Sequence, residues 1–146
     1  MKMMTKQKLI IAIFALGVTG LAQADQDDND GGCSLSTLRG LYIFTASGFN
    51  IVSGVAQPKA IVEVIRFNGD GTLTVPAATR SVNGVVAQSP PGGTGTYTVN
   101  PGCTGTLAFT GGPSFDLFIP PKGDELWMIQ TNQNTVFQGN VVRVSR

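Results

Sequence analysis

The chain has 146 residues, a formal net charge of +1, two cysteines and no histidine. Without histidine there is no Ser/His or Cys/His nucleophile arrangement, and two cysteines alone cannot furnish a zinc centre, so the commonest hydrolase designs and a structural zinc site are not expected. Charged residues make up 13% of the chain and form no basic patch, which excludes a nucleic-acid partner.

Residues 1–24 read as a secretory signal peptide. Lys2, Lys6 and Lys8 form a basic start, Leu9 to Val18 an apolar run, and Ala22-Gln23-Ala24 a small-x-small cleavage site. A membrane span needs roughly 20 apolar residues, about twice this run, so no span is expected after cleavage. Cleavage after Ala24 leaves 122 residues (146 minus 24), with 7 basic and 9 acidic side chains, one domain by length. The expected location is the periplasm or the outside of the cell. There the two cysteines, Cys33 and Cys103, are expected to pair. Closing a loop of about 70 residues is worth roughly 4 kcal/mol in the chain-entropy model.

Asp25 to Gly32 is acidic and free of apolar residues, and reads as a disordered leader; the domain is expected over 33–146. Ser34 to Leu38 reads as one helical turn or plain loop. Gly40 to Gly48 is the first strand, rich in aromatic and β-branched residues. Phe49 to Lys59 reads as a connection with a short strand at Ile51 to Val55. Ala60 to Phe67 and Thr72 to Val75 form a hairpin across Gly69-Asp70-Gly71. A three-residue loop there pairs Phe67 with Leu73 and Ile65 with Val75, gathering apolar side chains on one face.

Ala77 to Pro91 alternates weakly and reads as one twisted strand with a lid-like loop. Gly95 to Phe109 is a hairpin, with Asn100-Pro101-Gly102 expected to make a type II turn in which Gly102 takes positive φ. A further three-residue loop is expected to pair Phe109 with Phe115 and Leu107 with Leu117. The last hairpin is expected to set Ile129 against Phe137 and Trp127 against Gly139, across Asn132-Gln133-Asn134.

About eight strands in consecutive hairpins leave a sandwich or an up-and-down barrel as the architectures. Parity favours the barrel. One face of the hairpins collects Tyr42, Phe44, Ile61, Ile65, Phe67, Leu73, Tyr97, Leu107, Phe109, Phe115, Leu117, Trp127, Ile129 and Phe137. The fold expected is therefore an all-β, antiparallel, closed barrel with one disulfide. Glu63 shares the parity of Ile61 and Ile65, so its carboxyl is expected inside, neutral or paired, for instance with Arg80. The candidate ligand-lining residues are Tyr42, Phe44, Glu63, Phe67, Tyr97, Phe109, Phe115, Trp127 and Phe137. Outward Ile43, Val62, Val64 and Phe118 leave a homo-oligomer interface open.

Gly40-Leu41-Tyr42, a glycine and an aromatic at the start of the first strand, resembles the opening motif of the calycin-type barrels, the lipocalins above all. Cys33 ahead of it and Cys103-Thr104-Gly105-Thr106 later are similar to small exported bacterial barrels of that shape. In lipocalins a basic residue of the last strand packs over that aromatic, and the resemblance implies that Arg143 closes the barrel over Tyr42. The inward aromatics, with no assembled catalytic constellation beside them, point to a small apolar ligand as partner, and no cofactor is expected. A filled barrel acting as an envelope interaction protein is the alternative. The chain is also similar in shape to the allene oxide cyclase barrel, which implies a third and weaker reading as an isomerase.

Overall fold

The structure, a computed structural model, describes residues 32–146; the expected signal peptide and all but the last residue of the expected leader lie outside the described residues. A single 3-10 turn, Leu35–Thr37, precedes nine antiparallel strands. These are β1 (Arg39–Val52), β2 (Val55–Asn68), β3 (Thr72–Val82), β4 (Val85–Ser89), β5 (Gly93–Val99), β6 (Thr104–Phe109), β7 (Ser114–Phe118), β8 (Glu125–Gln130) and β9 (Thr135–Ser145). Eight of them close a ring in chain order, because β2 pairs with β3, β3 with β5, and β9 with β1. The ninth, β4, hangs on the outer half of β3.

Turn chemistry explains the long strands. Ser53-Gly54 and Asn83-Gly84 each place both residues at positive φ, the requirement of the tight hairpin turn that matches strand twist. The first carries β1 directly into β2, so Phe49 to Lys59 is strand on both sides of that two-residue turn instead of a connection. The second makes Val82 and Val85 a hairpin where one strand and a loop were expected. At the Asn100–Cys103 turn the positive φ belongs to Cys103 and not to Gly102, which corrects the type II expectation.

The expected faces hold except in β8, and three of the expected pairings are altered. Phe67 does pair with Leu73, and beyond it Ile65 faces Val75 and Pro76 together, a bulge of one extra residue in β3. Between β6 and β7, Leu107 pairs with Phe115 and Gly105 with Leu117, two residues away from the expected pairing. Such a shift keeps every side chain on its face. The shift between β8 and β9 does not. Ile129 pairs with Gln138 and Met128 with Gly139, so Leu126 and Met128 point inward.

Trp127 and Ile129 accordingly stand on the outer wall, 47% and 46% exposed. This corrects their expected place in the interior.

One end of the barrel is plugged. Leu38, Tyr42, Ile65, Phe67, Tyr97, Leu107, Leu117, Leu126 and Val141 fill that half. The rings of Tyr42, Phe67 and Tyr97 meet edge to face at about 5 Å, the arrangement aromatic quadrupoles prefer. Both buried hydroxyls are satisfied: that of Tyr42 donates to the Gly123 carbonyl at 2.8 Å, and that of Tyr97 lies 2.9 Å from the Leu38 carbonyl. Arg143 sits beside Tyr42 where β9 meets β1. Its guanidinium lies 5.2 Å from the ring centroid and donates to the Tyr42 hydroxyl, the Thr37 carbonyl and Asp124 at 2.8 to 2.9 Å. The Cys33–Cys103 disulfide ties the 3-10 turn to the β5–β6 corner at the same end. No helix among the described residues is long and apolar enough to cross a membrane.

Candidate functional site

The other half of the barrel is not filled. A cavity of about 390 Å³ opens at the mouth, walled by Phe44, Ile61, Val75, Ala78, Phe109, Phe115 and Phe137. Small residues make the room. Ala78 stands on β3 where the closed end carries Leu73, and Gly93 on β5 where it carries Tyr97. Phe44 meets Phe115 and Phe137 edge to face at 5.8 and 6.4 Å, so the aromatic floor is fixed by its own packing.

Glu63 lies in this wall, 7% exposed, with Ile61 and Ile65 on either side of it along β2. No hydrogen bond or ion pair reaches its carboxyl among the described residues, and the expected partner Arg80 is turned to Ser89 at 3.5 Å instead. Burial therefore acts alone, and it pushes the Glu63 carboxyl up to about 7. At neutral pH this group is poised between donor and anion.

Two cations share the mouth. Lys59 continues the inward parity of Glu63 and Ile61; its ammonium donates to Gln130 Oε1 at 3.1 Å and lies 4.1 Å from the Phe137 centroid. Arg80 pairs with Ile61 across the β2–β3 ladder. It faces the cavity because the extra residue at Pro76 reverses the parity of β3, moving the inward set from Leu73 and Val75 to Ala78, Arg80 and Val82.

The nine residues proposed from sequence to line one site thus divide. Phe44, Glu63, Phe109, Phe115 and Phe137 meet at the cavity. Tyr42, Phe67 and Tyr97 belong to the plugged half, and Trp127 lies outside. Lys59 and Arg80 were not among them. The parity of Lys59 with Glu63 could have found the first, whereas the second depends on a bulge that only Pro76 hints at.

A second depression, of about 500 Å³, runs over the outer wall between Trp127 and Val62. It is shallow, and Thr45, Ser47, Gln138 and Asn140 give it a solvated, mixed surface, so the mouth cavity with its buried carboxyl is the site of interest. No group of three or more metal-ligating side chains occurs among the described residues. Comparison with protein-family models, with curated proteins and with solved structures found no match in any of the three.

Proposed function

We propose that this chain is an exported binding protein that takes one small, mainly apolar ligand into the open half of its barrel. The observation that carries the reading is the division of the interior: one half packed to closure, the other left as a cavity of about 390 Å³ walled by four phenylalanines. A filled structural barrel has no need of such a void, since unfilled space forfeits packing energy. Export rests on the pattern of residues 1–24 and on a disulfide that persists in an oxidising compartment. The glycine–aromatic opening and Arg143 over Tyr42 support a calycin kinship, in which ligands enter at the open end.

The test is a fluorescence titration of delipidated protein with the neutral dye N-phenyl-1-naphthylamine, repeated with the variant Ala78→Phe, whose added ring occupies the cavity. Saturable binding in the parent and its loss in a variant of unchanged circular dichroism is the expected result. Equal binding by both, or none by the parent, overturns the reading. In the second case the outer wall, where exposed Phe118 pairs with exposed Trp127, becomes the surface to study and the protein an envelope interaction partner.

A further inference from the structure

The mouth cavity holds two positive charges and gives neither an anionic partner. Among the described residues the one ion pair joins Arg143 to Asp124 at the far end of the barrel. Lys59 reaches the neutral amide of Gln130, and Arg80 the hydroxyl of Ser89. Their places in the ladder are diagonal, Lys59 opposite Val82 and Arg80 opposite Ile61, which brings two long side chains within reach of each other.

The Lys59 ammonium is held below the usual lysine range, first by burial and then by the charge of Arg80. Like charges gathered beside an apolar cavity are unfavourable until an opposite charge joins them. Of the remaining polar groups in the wall, Asn50, Ser89, Thr94 and Thr110 are uncharged, and Glu63 is the one carboxyl, two residues deeper along β2 than Ile61, the partner of Arg80, and four deeper than Lys59.

We infer that the ligand is an amphiphilic anion, with an apolar body against Phe44, Phe115 and Phe137 and a terminal carboxylate, sulfate or phosphate seated between Lys59 and Arg80. The inference rests on the cavity being a binding site, as proposed above. Orientation follows from the wall. An anionic end group is drawn to the two cations at the rim and kept from the depth by the Glu63 carboxyl and the aromatic floor, so the ligand lies head outward.

The experiment is competition of bound N-phenyl-1-naphthylamine by decanoate and by decanol, which share one chain length and differ in the end group. In the parent at low salt, decanoate is expected to compete roughly tenfold better than decanol, as charge-assisted hydrogen bonds to two cations imply. In the double variant Lys59→Gln, Arg80→Gln the ratio of decanoate to decanol competition, both measured in that variant, should fall below about twofold, while Lys59→Arg keeps it. Equal competition in the parent, or a preference that survives the double variant, overturns the inference and leaves the binding reading standing. Failure of the dye itself to bind overturns both.

Discussion

A carboxyl buried without a partner couples folding to pH at the scale of one residue. Glu63 holds its proton up to about pH 7 in the barrel and, like an ordinary glutamate, only up to about 4.5 in the unfolded chain. Because the folded pKa is the higher one, its contribution to stability is fully present below about 4.5 and is lost as pH rises to about 7. The gap of about 2.5 units corresponds to at most about 3 kcal/mol. Glu63→Gln should therefore flatten this window, leaving the variant more stable than the parent at pH 8 and close to it at pH 4.5. Urea unfolding at the two pH values checks it, and identical pH slopes in parent and variant would sink it. The inward place of Glu63 was legible because β2 alternates cleanly from Ile61 to Phe67. That of Arg80 was not, since a single extra residue at Pro76 exchanges the two faces of β3.

At the scale of the element, the last hairpin shows where alternation loses its power. Leu126, Trp127, Met128 and Ile129 are all apolar, so the hydrophobic pattern of β8 suits either face and the loop decides. Asn134, at positive φ, sets a turn that pairs Met128 with Gly139, and Trp127 and Ile129 go outward. Asn83-Gly84, by contrast, was a readable hairpin signal flanked by two valines, hidden only by the weak alternation around it.

Gly139 is held to glycine by the approach of β9 to β1. A Cβ there would overlap the Thr45 carbonyl oxygen and lie 2.6 Å from the Ala46 Cα, so β9 could no longer approach β1. Gly139→Ala is expected to cost about 3 kcal/mol or more, at the upper end of overpacking effects. Gly102→Ala, which meets nothing within 4 Å, should stay within about 0.5 kcal/mol of the parent. Denaturant midpoints of the two variants compare them directly; similar losses would show that strand approach at Gly139 is not the constraint.

At the scale of the whole molecule, the ring closed in chain order because successive ring strands are joined by short antiparallel connections, with β4 carried as an excursion between β3 and β5, which left the sequence few other circuits. The hollow half was not legible, since aromatic parity alone cannot distinguish a floor from a plug. The protein's single tryptophan lies on the outer wall, beside the outward Phe118. Its emission should be that of a solvated indole, readily quenched by iodide in the native state and nearly unchanged when a ligand fills the cavity. A blue-shifted, iodide-protected emission from dilute native protein would contradict the outward register of β8.

The disulfide and the strand ends also fix how the molecule can be held. Cys33 is stitched to the β5–β6 corner, and the Arg146 Cα lies beside Gly40, both at the plugged end of the barrel. A tag, tether or solid support joined at residue 32 or at residue 146 therefore grips the base and leaves the opening pointing away from the attachment. Immobilised through either site, the protein would present its mouth to solution in one common orientation.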